Sequence, residues 1–276
     1  MTERVLVSID GGVADVRLNR PEKLNALDSA MFRAIAEAGE NLKAEAGVRA
    51  VVLSGEGRGF CAGLDFDEFQ AMKDNSRDRR ADVGGSDLMD TNGRFTHLGQ
   101  QVAWVWTELE MPVIAAIHGP CLGGGLQIAL GADIRIVAPD ASLSVLEIRW
   151  GLTPDMAASV TLPGLVGLDV AKELLWTGRT VNGDEAVHLG VATCSADDPR
   201  AAAFELASEL ASKSPHAIRA GKRLLTGLGG RSAAEQLALE RQEISGLIGG
   251  PNQVEAINAH FDKRPPVYGD PVPSTK

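Results

Sequence analysis

The chain has 276 residues, of which 44% are hydrophobic and 23% charged, and these ordinary proportions exclude a wholly disordered protein. Its formal net charge of -10 argues against a nucleic-acid partner held by phosphate contacts, although a local basic patch could still meet a phosphorylated ligand. No apolar run approaches the roughly 18 residues of a membrane span, and the first residues lack a signal-peptide core, so we expect no membrane contact and a cytoplasmic location.

Three cysteines stand far apart, at Cys61, Cys121 and Cys194, and their spacing is not that of metal ligands. We therefore predict that all three are reduced and buried, and that the protein binds no metal. Aromatic residues make up 4% of the chain, which argues against a base-stacking surface for single-stranded nucleic acid.

The first half of the chain alternates between strand and helix patterns. Residues 5–9 and 13–18 flank a Gly-Gly pair and predict a β-hairpin in which glycine supplies the positive φ. Asp28 is placed to cap a helix whose apolar side chains recur three and four residues apart as far as Leu42. Further strands are predicted at residues 50–53, 113–117 and 132–137, and further helices at residues 65–72, 100–109 and 124–130. This alternation predicts an α/β core.

The second half differs because strand patterns fade after Pro154. Helices are predicted there at residues 170–176, 183–188, 200–212, 215–225, 233–247 and 253–261. We divide the chain into a mixed core, residues 1–196, and a helical C-terminal region, residues 197–276. The polar segment 73–99 has weak periodicity and is predicted to be a mobile loop of the kind that covers a site.

Two glycine-bearing segments, residues 59–65 and 118–127, each follow a β-branched strand. Such turns free backbone N–H groups, and two of them side by side aim two donors at one oxygen. That arrangement stabilises an enolate or a tetrahedral oxyanion. Spacing alone also fits two strand-to-helix connections without chemistry.

An ordered set of four motifs runs through the chain. They are LNRPEKLNAL at 18–27, GFCAGLD at 59–65, HGPCLGGGLQ at 118–127 and LEIRWGLTPD at 146–155. Their order and spacing resemble the crotonase superfamily, the enoyl-CoA hydratase and isomerase group, over roughly residues 5–195. The resemblance implies a crotonase-like spiral of ββα units, with a helical C-terminal region for oligomerisation and cover of the active site. It also implies that the backbone N–H groups of Leu64 and Gly124 hold the carbonyl oxygen of an acyl-CoA thioester.

The acid/base residues decide the reaction within this family. Its hydratases have glutamates at two positions, which here hold Gln127 and Glu147. Gln127 cannot exchange a proton near neutral pH, although it can position water or a carbonyl group. Glu147 remains as the best single base, provided that an apolar site raises its pKa. The alternative for Glu147 is a solvated glutamate at a strand end.

Asp155 adds a second clue, because 155 − 147 = 8 and the family's dienoyl-CoA isomerases have an acidic pair at this spacing. Those enzymes also have an aspartate where Gln127 stands, so the match to them is partial. Glu147 alone suits a double-bond isomerase, and Glu147 with Asp155 suits a relay along a longer conjugated chain. Alternatively, Asp155 caps a helix that follows Pro154.

The resemblance further implies CoA-binding residues and an assembly. The turns that line the CoA arm would contain Lys23, Ala62, Gly63, Asp65 and Gly123. Lys263 is similar to the family's basic residues that meet the CoA phosphates, often from a neighbouring subunit, and a solvated helix end explains it almost as well. No cofactor is implied because CoA is part of the substrate, and a homotrimer or homohexamer is expected.

We therefore interpret the chain as an enzyme that acts on acyl-CoA thioesters, either a double-bond isomerase or a hydratase. Three alternatives stay open. They are a dienoyl-CoA isomerase that uses Glu147 and Asp155, an acyl-CoA hydrolase that releases free CoA, and an acyl-CoA-binding member without turnover.

Overall fold

A computed structural model describes residues 3–73, 91 and 93–271 of the chain. Its strands are β1 (Val5–Asp10), β2 (Val13–Leu18), β3 (Ala50–Gly55), β4 (Val113–Ile117), β5 (Pro120–Leu122), β6 (Ile134–Val137), β7 (Ser142–Ser144), β8 (Val181–Asn182) and β9 (Cys194–Ser195). Its first helices are α1 (Ser29–Lys43), α2 (Phe66–Lys73), α3 (Leu98–Glu108), α4 (Gly124–Leu130), α5 (Ala158–Thr161) and α6 (Pro163–Val166). They are followed by α7 (Leu168–Thr177), α8 (Gly183–Leu189), α9 (Pro199–Ala211), α10 (Pro215–Leu225), α11 (Ala233–Leu247) and α12 (Pro251–Asp262). Short 3-10 turns lie at Pro21–Lys23, Glu147–Trp150 and Leu228–Gly230.

The central layer is a six-stranded sheet in the order β1-β2-β3-β4-β6-β9. β1 and β2 form an antiparallel hairpin, and the later neighbours pair in parallel, with Val51 of β3 opposite Val113 of β4. A second, three-stranded sheet contains β5, β7 and β8. Because β3 and β4 are parallel neighbours, the turns that follow them start from the same edge of the sheet.

Apolar side chains cover both faces of the central sheet. β3 is buried along its whole length, as expected of a parallel strand that is covered on both sides. The main core includes Phe32 of α1 and Trp106 of α3. On the other face, α9 presents Ala203, Ala207 and Ala211, whose small side chains let the helix approach β3 and β4 closely.

A buried cation fastens α10 to the core. Nζ of Lys222 donates to Oδ2 of Asp133 at 2.6 Å and to the carbonyl oxygens of Met111 at 3.0 Å and Trp106 at 3.3 Å. Burial lowers the pKa of Lys222, and the neighbouring aspartate opposes that shift. The last two helices pack less deeply, because no residue of α11 is buried and α12 buries only Asn252 and Ala259 along Pro251–Asp262.

Most predicted elements are confirmed, with small shifts at their ends. The hairpin forms with φ of +55° at Gly11 and +80° at Gly12. Asp28 caps α1 by accepting a hydrogen bond from the Met31 N–H group at 2.7 Å. The six helices predicted between residues 170 and 261 are present, so the mixed α/β core with a helical C-terminal region is confirmed. The division between residues 196 and 197 stays a prediction, and the first helix beyond it packs on the central sheet.

Two expectations about local structure need correction. The strands β5, β7, β8 and β9 are missing from the prediction, because two or three residues are too few to show an alternating pattern. The segment 73–99 is not a loop throughout, since α2 extends to Lys73 and α3 begins at Leu98. Residues 74–90 and 92 of that segment lie outside the described residues.

Within the described ranges, no helix is long and apolar enough to cross a membrane.

The prediction of three buried cysteines is wrong for Cys194. Cys61 and Cys121 are buried with free thiols, whereas Cys194 is exposed in β9, a two-residue strand at the edge of the sheet. Burial raises the pKa of Cys61 to about 12 and holds the pKa of Cys121 well above its ordinary value.

We expect iodoacetamide to alkylate the native protein at Cys194 alone, because the thiolate is the reactive form and the two buried thiols stay protonated. Peptide mass spectrometry should find Cys61 and Cys121 modified only after denaturation. The variant Cys194→Ser should abolish labelling of the folded protein. Rapid native-state labelling of Cys61 would contradict the burial of its turn.

Candidate active site

The two glycine-bearing turns meet as a pair. Cys61 and Cys121 face each other in a parallel bridge, with Cys61 N–H donating to the Pro120 carbonyl at 3.0 Å and Leu122 N–H donating to the Cys61 carbonyl at 2.9 Å. The turn after β3 therefore continues beside the turn after β4. The two turns therefore lie side by side, as a shared site for one oxygen requires.

Glycine is required where the two backbones touch. A Cβ atom on Gly125 would lie 2.4 Å from the carbonyl oxygen of Cys61 and 2.7 Å from its Cβ atom. Gly63 has φ of +86°, and a Cβ atom there would lie 2.7 Å from the Leu122 carbonyl oxygen and 3.7 Å from the amide nitrogen of Gly124. Any larger residue at either position would push the turns apart.

Two backbone N–H groups at this junction, those of Leu64 and Gly124, are candidates for binding a ligand. Leu64 is flanked by hydrogen bonds from Leu27 N–H to the Gly63 carbonyl at 2.8 Å and from Asp65 N–H to the Leu27 carbonyl at 3.1 Å. Gly124 is the first residue of α4, where the helix leaves N–H groups without a partner. In the part of the chain that the structure describes, no hydrogen bond from the N–H of Leu64 or Gly124 is found.

Glu147 begins a 3-10 turn beside this junction. Its Oε1 accepts a hydrogen bond from Nε2 of Gln127 at 2.6 Å and lies 3.5 Å from the position of a Cβ atom on Gly123. Its Oε2 is buried and has no hydrogen-bond partner among the described residues. The alternative of a solvated glutamate at a strand end is therefore wrong.

Burial is the main cause that raises the pKa of the Glu147 carboxyl group above its ordinary value. The charge of Asp155 raises it further, and hydrogen bonds, among them the one from Gln127, oppose the shift. A carboxylate of raised basicity next to two free N–H groups can accept a proton while an oxyanion forms nearby.

Gln127 lies on α4 with 1% of its surface exposed. Its Oε1 accepts hydrogen bonds from Met156 N–H at 2.9 Å and from Ala158 N–H at 3.2 Å, while its Nε2 donates to Glu147. The side chain therefore joins α4 to the Glu147 turn and to the start of α5.

Asp155 does not cap the helix that follows it. The residue before α5 is Ala157, which has φ of +75° and makes no side-chain cap. The N-cap alternative for Asp155 is therefore wrong, and the structure leaves its carboxylate as the charged neighbour that acts on Glu147.

Asn25 supports the turns, although no sequence-based prediction includes it. Its side chain is fully buried, and Nδ2 donates to the carbonyl oxygens of Glu56 and Gly59 at 2.9 Å and of Phe60 at 3.2 Å, while Oδ1 accepts from Arg20 N–H at 2.8 Å. Asn25 has φ of +55°, a left-handed conformation that asparagine tolerates better than most residues. The available signal in the sequence was an asparagine within the first motif, at residues 18–27.

Arg20 holds the next part of the first turn through a buried ion pair with Asp65. Burial alone would raise the pKa of Asp65, but hydrogen bonds from Asp67 N–H and Arg20, with the charges of Arg20 and Lys23, hold it below its ordinary value. The Asp65 carboxylate therefore already has its partners within the protein.

The residues predicted to bind CoA divide into two groups. Ala62, Gly63 and Gly123 lie in the paired turns, and Ala62 N–H donates to the Leu24 carbonyl at 2.9 Å, next to the exposed Lys23. Lys263 is exposed at the end of α12, and no contact among the described residues brings it to the turns. The described residues also contain no group of three or more His, Cys, Asp or Glu side chains that could hold a metal ion.

This architecture defines an α/β protein of the crotonase fold. Its structure matches that of an enoyl-CoA hydratase from Bacillus anthracis with a TM-score of 0.85 and 29% identity, over 96% of this chain and 98% of the other. The predicted fold class is therefore confirmed.

Sequence comparison gives the family. The chain matches the enoyl-CoA hydratase/isomerase family over residues 8–271. It is 31% identical to a short-chain-enoyl-CoA hydratase of Clostridium acetobutylicum, over 94% of this chain and 95% of that protein. It is 35% identical to the mitochondrial Delta(3,5)-Delta(2,4)-dienoyl-CoA isomerase of Homo sapiens, over 82% of this chain and 69% of that protein. The chain belongs to the enoyl-CoA hydratase/isomerase family and is an enzyme of that family.

Proposed function

We propose that this enzyme moves a double bond along an unsaturated acyl-CoA thioester, with Glu147 as its single base. One observation carries the proposal: Oε2 of Glu147 is buried and has no partner among the described residues, and the second acid/base position holds the neutral Gln127. This pair does not suit a reaction that needs two carboxylates. It suits a reaction in which one group removes and returns the same proton.

In the proposed reaction, the thioester oxygen accepts hydrogen bonds from the N–H groups of Leu64 and Gly124. Glu147 removes a proton from one carbon of a 3-enoyl-CoA, and the electron pair moves through the conjugated system to the thioester oxygen. The carboxylic acid then returns the proton to the far carbon, which gives the 2-enoyl-CoA without any net gain or loss of atoms. Each donor of such an oxyanion hole contributes about two to three powers of ten to the rate.

The pH dependence of kcat/KM tests this assignment of the base. Because the carboxylate is the active form and its pKa is raised, kcat/KM should rise with pH through a value above that of an ordinary glutamate and then level off. Stopped assays with one substrate across the acidic and neutral range would give the profile. A flat profile down to the ordinary glutamate range would contradict the role of Glu147.

A second candidate is the isomerisation of a 3,5-dienoyl-CoA to a 2,4-dienoyl-CoA, with Asp155 as a partner of Glu147. It is supported by the effect of the Asp155 charge on Glu147, by the freedom of Asp155 from any capping role, and by the relative in Homo sapiens. In that reaction Asp155 would exchange the proton at the far end of the chain.

We further propose that the CoA moiety is held by the turns at Lys23 and residues 62–65, that no metal or redox cofactor takes part, and that the protein assembles through its C-terminal helices. Large apolar side chains on α11 and α12 support assembly because they are exposed on the single chain. They are Leu237, Ile244, Val254, Ile257 and Phe261. Lys263 lies at the end of α12 and would reach CoA from such a neighbouring subunit.

The deciding experiment is turnover of 2-enoyl-, 3-enoyl- and 3,5-dienoyl-CoA substrates, with products separated by chromatography and free CoA measured with a thiol reagent. We expect double-bond migration without release of CoA. Hydration as the main product would replace the proposal by a hydratase, release of CoA would indicate a hydrolase, and no turnover of any thioester would indicate a binding protein.

A further inference from the structure

We propose that Gln127 is a positioning residue that determines which oxygen of Glu147 carries the proton. It also connects that base to the turn that contains Gly124. The inference rests on the proposed role of Glu147 as the base. It concerns an arrangement of three hydrogen bonds around one buried amide, between α4, the Glu147 turn and the start of α5.

The orientation of the Gln127 amide is unique. Oε1 accepts from two backbone N–H groups, those of Met156 at 2.9 Å and Ala158 at 3.2 Å. If the amide were rotated by half a turn, its NH₂ group would face two further donors and three buried polar groups would lose their partners. Nε2 must therefore point at Glu147.

This orientation makes the two oxygens of Glu147 unequal. Oε1 already accepts the hydrogen bond from Nε2 at 2.6 Å, whereas Oε2 is buried and finds no partner in the described part of the chain. The proton therefore goes to Oε2, and the Gln127 bond is kept in both protonation states, so the base can take and return a proton without rotating. A glutamate at position 127 would have to be protonated to make the same bond.

The same amide also stabilises the turn that contains Gly124. Ala157 lies between the two residues bonded to Oε1 and has φ of +75°, a left-handed conformation that is strained for an alanine. Sδ of the neighbouring Met156 lies 2.9 Å from the position of a Cβ atom on Gly124. By holding this strained segment, Gln127 keeps Met156 packed against the glycine whose N–H group forms half of the proposed hole.

Few charges surround this network. The turn of α4 that faces Glu147 contains glycine, leucine and glutamine, and the segment before α5 contributes Asp155. On α7, which packs on the Glu147 turn, Glu173 is paired with Arg179 at 2.7 Å, and Asp169 and Lys172 are exposed, as is Arg149 on the turn itself. A change in the titration of Glu147 after substitution of Gln127 would therefore report on the amide itself.

The test compares Gln127→Met and Gln127→Glu with a matched control, Gln101→Met. Gln101 is also buried, and its Nε2 donates to Glu40 of α1 and to Glu108 at the end of α3, both at 2.9 Å. Two readouts are used: the pH profile of kcat and KM, and an infrared titration of the ¹³C-labelled glutamates, in which the Glu147 band is identified by its loss in Glu147→Gln.

For Gln127→Met we expect kcat to fall about tenfold to a hundredfold with KM little changed, because the base is no longer held in place. Loss of the donor should move the acid limb of the profile and the infrared titration of Glu147 to higher pH. In Gln127→Glu the two carboxylates share one proton, so the limb should move upward by about one pH unit or more, and hydration of 2-enoyl-CoA should appear or increase. Gln101→Met should lower the melting temperature without moving either titration.

The inference is overturned if Glu147 titrates at the same pH in both Gln127 variants, even when kcat falls, because a packing role alone predicts that result. It is also overturned if Gln101→Met moves the titration as much. Gln127→Glu keeps the size of the side chain, so the test survives if Gln127→Met does not fold. The infrared titration needs no substrate, so the role of Gln127 is decided even if the proposed isomerase activity is absent.

Discussion

Glu147→Gln should lower kcat by about a thousandfold or more, because general-base catalysis typically contributes two to four powers of ten and no other carboxylate occupies the same position. The variant keeps the size of the side chain and an oxygen that can still accept the hydrogen bond from Gln127. The loss should therefore fall on kcat, with KM for the thioester almost unchanged. Steady-state kinetics with the best substrate of the panel measures both.

Stability distinguishes loss of the base from loss of the fold. The raised pKa of Glu147 means that the native state binds the proton more tightly than the unfolded state. The free energy of unfolding therefore decreases as pH rises from the ordinary glutamate value through the native value, and this loss is absent in Glu147→Gln. We expect the melting temperature of the variant at neutral pH to equal or exceed that of the wild type. Turnover near the wild-type rate in a folded Glu147→Gln variant would rule out Glu147 as the base.

Gly125→Ala should reduce kcat/KM by about a hundredfold or more, the contribution of one oxyanion-hole donor. The added Cβ atom would stand 2.4 Å from the Cys61 carbonyl oxygen, and a backbone oxygen held in a bridge cannot move by itself. The two turns must then separate, so the N–H groups of Leu64 and Gly124 no longer meet at one oxygen. Kinetics with circular dichroism as a check on folding would measure the effect.

Gly221→Ala is the matched control for this prediction. Gly221 lies inside α10, and a Cβ atom there would meet nothing within 4 Å, so alanine should leave kcat/KM unchanged and should stabilise the helix by about 1 kcal/mol. If Gly125→Ala retained wild-type kcat/KM, the close approach of the two turns would not matter for the reaction.

The sequence predicts the parts of this fold that depend on neighbours along the chain. Asp28 predicts the start of α1 because a helix cap and its N–H partner are only three residues apart in the chain. The glycines predict the two turns because only glycine leaves room for two backbones to touch. The parallel bridge between Cys61 and Cys121 confirms that the turns lie side by side.

The sequence fails where a contact joins residues far apart. Nothing local reveals that Asn25 holds the carbonyl groups of Glu56, Gly59 and Phe60. Nor does it reveal that Gln127 accepts hydrogen bonds from Met156 and Ala158. The acid/base positions could be inferred only by resemblance, and the burial of Oε2 of Glu147 depends on packing that no motif encodes.

The two backbone N–H groups that donate to Oε1 of Gln127 affect which substitutions this position can accept during evolution. A glutamate would present the same oxygen to Met156 and Ala158, so the scaffold can accept either side chain. Glutamine and glutamate codons differ by a single first-position base. One point mutation therefore separates a neutral amide from a carboxylic acid at position 127, and a lineage with this fold could exchange the two without first losing its structure.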